Sequence, residues 1–110
     1  MPIRDTNDAE LRTLIFDHRK VIVKFTKEQC TICERMARIF SQLADNSEYQ
    51  EITFLRMDAK ENPVSSQEVH LTGTLFFATY LNGMLTQCSL LSDKEALMEM
   101  LAALKQASAE

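Results

Sequence analysis

Val21-Ile22-Val23-Lys24-Phe25-Thr26-Lys27-Glu28-Gln29-Cys30-Thr31-Ile32-Cys33 is the stretch on which the chain turns. Its first half is β-branched and nearly all apolar, as a strand covered on both faces requires. A short polar step leads to a Cys-x-x-Cys pair, and from there the apolar period changes. Met36, Ile39, Phe40, Leu43 and Ala44 recur at steps of three and four, one face of a helix ending near residue 45. The reading is strand, loop, dithiol, helix. Two cysteines three apart across a helix's first turn can close a small disulfide ring. The first of them meets the unpaired N–H groups and the positive dipole end of that helix, which favour a thiolate.

Upstream, residues 7–18 read as a helix, with Asn7 as cap, Glu10 completing a box, and Leu11, Leu14 and Ile15 on one face. His18-Arg19-Lys20 supplies a basic end, and His18 reads as a solvated cap residue. Downstream, 52–57 is a second strand closing on Asp58. Strand, helix, strand makes a βαβ unit, so these two strands should be parallel with a right-handed crossover. Asn62-Pro63 opens a short helix over 63–69, because Pro at the first helical position forfeits no hydrogen bond. Gly73 breaks the chain before a strand over 75–81, Asn82-Gly83 signals a hairpin, and a strand follows over 85–90. Ser92-Asp93-Lys94-Glu95 is a capping box with Ser92 as cap. Leu97, Leu101 and Leu104, flanked by Met98 and Met100, form the apolar face of a last helix. The order α-β-α-β-α-β-β-α predicts a three-layer α/β/α sandwich around a four-stranded mixed sheet, one domain over 1–110.

Composition narrows the function classes. With 45% hydrophobic residues, 25% charged residues and a net charge of −4, the chain reads as an ordinary soluble globular protein, and a monomer is expected. No basic cluster and no Trp argue against a nucleic-acid partner. No apolar run reaches membrane-spanning length. Three cysteines do not make a secreted disulfide framework, and the N-terminus lacks the apolar core of a signal peptide. A cytoplasmic, reducing setting is expected.

Four landmarks in order resemble the thioredoxin family over 21–104. They are the dithiol Cys30-Thr31-Ile32-Cys33 after an apolar strand, the turn Asp58-Ala59-Lys60-Glu61-Asn62-Pro63, the strand and hairpin Leu75-Phe76-Phe77-Ala78-Thr79-Tyr80-Leu81-Asn82-Gly83, and the helix start Ser92-Asp93-Lys94-Glu95-Ala96-Leu97. The resemblance implies a thioredoxin-like fold and thiol–disulfide exchange on protein disulfide or dithiol substrates, fed by a reductase. Cys30 would be the attacking thiol and Cys33 the resolving one, with no cofactor and no metal. The chain departs from the family pattern at several positions. The family's cis-proline falls on Leu75, after Thr74, in the loop that docks substrate. A non-proline cis bond costs roughly 3 kcal/mol, so a trans bond is expected there. The buried acid six residues before the first cysteine falls on Lys24, and the preceding tryptophan on Gln29. Thr31 and Ile32, between the cysteines, include no proline.

Lys24 then has two readings near the dithiol. Charged, it would favour the reduced form; otherwise burial or a carboxylate neutralises it, or it snorkels to the surface. Cys88, alone on the last strand, reads as a small core residue. His70 reads as a loop residue. Met36, Met57, Met98 and Met100 fall on apolar faces and read as core. Leu75-Phe76-Phe77 and Met84-Leu85 are expected to leave an apolar patch near the dithiol, which would suit a protein-binding or chaperone module with an idle dithiol. A dimer bridged through the cysteines by zinc or an iron–sulfur cluster is a further alternative, since structural sites take four ligands and a second chain would supply the other two; a separate site of Cys30, Cys33 and His70 would need His70 to cross to the dithiol.

Overall fold

The computed structural model describes residues 3–26, 31–58, 76–91 and 93–107. Five strands form one sheet: β1 (Ile3–Thr6), β2 (Lys20–Thr26), β3 (Ile52–Asp58), β4 (Phe76–Leu81) and β5 (Met84–Leu90). Their order is β1-β3-β2-β4-β5. β2 pairs parallel with β3, the βαβ arrangement expected, and β1 pairs parallel with the outer side of β3. β4 and β5 are antiparallel additions on the other side. The helices are α1 (Asp8–Asp17), α2 (Thr31–Ala44) and α3 (Lys94–Gln106), with a 3-10 turn at Ser47–Tyr49.

The sheet thus has one strand more than expected. β1 is four residues long and carries Arg4 and Asp5 exposed, so no apolar alternation marks it. It is held by tertiary pairing instead: all four residues join the ladder with β3, and Arg56 donates from Nε to Asp5 Oδ1 at 2.7 Å beside it.

The alternation of β2 divides the core. Ile22 meets Phe54 and Phe77 under Met36, Phe40 and Leu43 of α2 and Leu97, Leu101 and Leu104 of α3. Val21, Val23 and Phe25 face the other way, with Leu55, Met57, Phe76 and Ala78, under Leu11 and Leu14 of α1. Phe40 lies 5.1 Å from Phe54 and 5.6 Å from Phe77 between ring centroids. Such tilted pairs add about 0.5–1.5 kcal/mol each beyond the area they bury.

The ends of the elements show which local signals held. Asn7 caps α1 by accepting from the Glu10 backbone N–H at 2.9 Å, and His18 closes it, exposed. Asn82 and Gly83 turn the hairpin with φ of 52° and 85°, the left-handed pair a two-residue turn needs. The cap of α3 is Asp93, not Ser92: its Oδ1 accepts from the Ala96 backbone N–H at 2.8 Å. Lys20 does not finish a helix. It opens β2, buried, and its ammonium donates to the Lys105 carbonyl at the end of α3, with Glu51 at 3.7 Å. A strand lysine therefore supplies the cation that the last turn of a helix favours.

β5 departs most from expectation. A register shift falls between Thr79 and Tyr80, leaving Thr86 outside the ladder, where its hydroxyl donates to the Thr79 carbonyl at 3.1 Å. Cys88 pairs with Ala78 but is exposed, not core, because the residues α1 buries lie on β2, β3 and β4 and stop short of this edge. Met98, 38% exposed, likewise lies off the buried stripe of α3. Met36, Met57 and Met100 are buried as expected. The short helix over 63–69, His70 and the Thr74–Leu75 bond lie outside the described residues. No helix among the described residues is long and apolar enough to cross a membrane.

Candidate functional site

β2 is the middle strand and ends at Thr26. α2 begins at Thr31, directly after Cys30 in the sequence, and Cys33 is its third residue. The sequence thus places its dithiol across the start of this helix. Cys30 lies outside the described residues. Of Thr31, Ile32 and Cys33 only the helical backbone is described.

Backbone position still relates Cys33 to the sheet. Met36, Phe40 and Leu43 form the buried stripe of α2 over Ile22, Phe54 and Phe77. Cys33 falls one turn before Met36, at the helix's N-terminal end. Lys24 falls two residues after Ile22 on the same face of β2, toward that same end. The last pleat of β2 and the first turn of α2 therefore lie at one level of the fold.

Lys24 is 3% exposed, so it does not snorkel. Its ladder neighbours are Arg56 on β3 and Phe77 on β4. Asp5, Arg56, Lys24 and Phe77 thus stand side by side on four consecutive strands. Burial pushes the Lys24 ammonium below its ordinary pKa, and the Arg56 guanidinium beside it pushes the same way. Arg56 is committed to Asp5: their hydrogen bond holds the Asp5 carboxyl below its usual range and raises the guanidinium. Asp58 follows Arg56 by two residues and pairs with Thr26, so a carboxylate shares this face one pleat further along. Sequence reasoning missed Arg56. The period of two in Ile52-Thr53-Phe54-Leu55-Arg56 would have put it on the Phe54 face, but only the register shows it beside Lys24.

Of the expected apolar patch, Leu75 lies outside the described residues, and the other members do not form it at the dithiol end. Phe76 and Phe77 are buried. Met84 and Leu85 are exposed, but they pair with Leu81 and Tyr80, and Leu81 pairs with Lys20, at the end of β2 far from the dithiol. Antiparallel pairing carries the hairpin back to the start of β2, which sequence order alone hides. The one large apolar side chain that β5 exposes at the dithiol end is Leu90, opposite Phe76. Among the described residues no group of three His, Cys, Asp or Glu could hold a metal ion.

Known proteins resemble the chain along most of its length. The sequence model of the family described as Thioredoxin matches residues 2–103. Thioredoxin 1 of Plasmodium falciparum is 26% identical over 96 residues, covering 87% of this chain and 90% of that protein. A thioredoxin of Mycoplasmoides gallisepticum is 32% identical over 74 residues, covering 66% and 72%. The crystal structure of spinach chloroplast thioredoxin f superposes with a TM-score of 0.86 over 96% of this chain and 95% of that one. At 18% identity that last likeness concerns the fold.

Proposed function

The chain belongs to the thioredoxin family, and from that premise we propose that it is a thiol–disulfide oxidoreductase working through Cys30 and Cys33. Family and fold support a thioredoxin-like redox function; the dithiol chemistry is our reading. The observation that carries it is the start of α2 at Thr31, directly after Cys30 and following the middle strand. Unpaired N–H groups and the helix dipole there favour an anionic sulfur.

In the proposed cycle the Cys30 thiolate attacks one sulfur of a substrate protein disulfide. The substrate S–S bond breaks, and the departing thiolate takes up a proton. The Cys33 thiolate then attacks the Cys30 sulfur of the mixed disulfide and releases the second substrate thiol. Two electrons have passed to the substrate, and Cys30 and Cys33 are joined. A reductase returns the electrons. Thr31 and Ile32 set the environment of the ring, and Thr74 and Leu75 belong to the loop that docks the substrate.

The pre-reduced protein is expected to reduce a disulfide-linked test protein such as insulin. Cys30→Ser should abolish the activity, and Cys33→Ser should trap a mixed disulfide. Full turnover in the Cys30→Ser protein would overturn the proposal. A second reading, a protein-binding module with an idle dithiol, draws on Lys24 standing where the family pattern has an acid. It predicts a set of captured partners unchanged when both cysteines are replaced by serine.

A further inference from the structure

β4 pairs with the inner side of β5, and among the described residues no strand takes its outer side. Such a margin presents a row of backbone N–H and C=O groups of the kind that pair with another strand. From Met84 to Leu90 the strand carries no charge, in a chain whose net charge is −4. Copies of this chain therefore repel one another in general, but not through this strip. Met84, Leu85 and Leu90, three of the five large apolar side chains exposed among the described residues, belong to it. At the opposite margin β1 has four residues, with Arg4 exposed and Asp5 bonded to Arg56.

We propose that β5 is an interface for a second copy of this chain: two β5 strands pair antiparallel about a two-fold axis at Cys88 and join the two sheets into one. The proposal is independent of the dithiol. Its register follows from the faces, because ladder partners share a face of a sheet. Leu90 and Cys88 pair with Phe76 and Ala78 and lie on the α1 side. Ser89 pairs with Phe77 and lies on the side of α2 and α3, as does Gln87 by alternation. A two-fold axis perpendicular to the sheet keeps each side chain on its own side, so only like-faced residues can stand opposite. The register shift at Thr79 and Tyr80 ends the regular run of β5 at Gln87. An axis at Gln87 would draw the bulged Thr86 into the centre, and one at Ser89 would carry the pairing past Leu90 to the buried Leu91. An axis at Cys88 sets Gln87 opposite Ser89 of the second copy, and Ser89 opposite its Gln87, within the strand. Both β5 margins are then used, and the assembly closes at two. Seven residues a side are well below the roughly 20–30 of a stable interface, so the dimer is weak and its population follows concentration.

Sedimentation equilibrium of the full chain reads the association up to roughly 1 mM protein, the weak end of specific affinity. Thiols are kept reduced, so that no disulfide links the copies. The mean mass should rise toward twice that of one chain and level off there. Gln87→Lys and Ser89→Glu should each weaken dimerisation several-fold, because each sets two like charges about 7–8 Å apart across the axis. In Gln87→Lys one added positive charge takes the net charge from −4 to −3 and reduces general repulsion, so a weaker dimer reports the local contact. An equimolar mixture of the two variants should restore the dimer, since the new lysine of one copy then faces the new glutamate of the other. The unaltered chain carries the decision by itself should a variant not fold. A mass that stays at one chain throughout, that climbs past two without levelling, or that Gln87→Lys in folded protein leaves unchanged overturns the proposal. So does a mixture of folded variants that fails to restore the dimer.

Discussion

Lys24 has a cost that thermodynamic linkage makes visible. Its folded-state pKa lies below the ordinary value of 10.5, with burial the larger cause and Arg56 the smaller. Between the lowered value and 10.5 the unfolded chain binds a proton that the folded chain does not, so the contribution of this residue to stability rises with pH across that interval. Below the lowered value the folded chain carries the full penalty of a buried charge. Lys24→Met keeps the volume and removes that penalty. Its unfolding free energy in urea should exceed that of the parent at pH 7. The advantage should shrink as pH rises toward 10.5. An advantage that grows with pH would mean that the lysine is stabilised by a partner in the folded state. The sequence made Lys24 conspicuous as a cation in an apolar strand, but it could not show whether the side chain reached water. That depended on which face of the sheet α2 and α3 cover, a property of assembly.

Among elements, α3 shows how a local signal can be sound yet misplaced. Ser92-Asp93-Lys94-Glu95 offers two cap residues in a row, and either starts a helix within one residue of the other. The fold uses Asp93, whose carboxylate holds the Ala96 N–H. Asp93→Ala should therefore destabilise the protein by about 1 kcal/mol, read as a lower melting temperature. A melting temperature unchanged by that substitution would show that this hydrogen bond contributes nothing. The strands and helices with continuous apolar periods, β2, β3, α2 and α3, were legible to within a residue or two. Elements fixed by partners far along the chain were not. Ile3-Arg4-Asp5-Thr6 becomes β1 by pairing with β3, where Asp5 meets Arg56, 51 residues later. Lys20 joins β2 because it meets the Lys105 carbonyl, 85 residues later. No window of local sequence contains either pair. The same holds for the candidate site: Cys30, Cys33 and Lys24 stood out in the sequence and its family resemblance, whereas Arg56 and Asp5 entered only with the register.

Across the whole molecule, the two margins of the sheet are finished differently. β1 carries Arg4 and Asp5, charges that discourage a stray strand. β5 reads Met84-Leu85-Thr86-Gln87-Cys88-Ser89-Leu90 without a single charge, and among the described residues no strand pairs with its outer side. Met84 and Leu90, 71% and 50% exposed, sit at its two ends. Gln87→Lys should raise the concentration at which light scattering appears and leave melting nearly unchanged, because the new side chain replaces a partly exposed one. An unaltered scattering threshold would indicate that this margin is inert. If the margin is open, colloidal behaviour and folding stability become separate properties of this chain. The first would be governed by seven neutral residues at its rim and the second by the layers beneath. Crowding or a pH near neutrality of net charge would then produce fibrous or amorphous deposits of folded protein well below the temperature at which any helix melts.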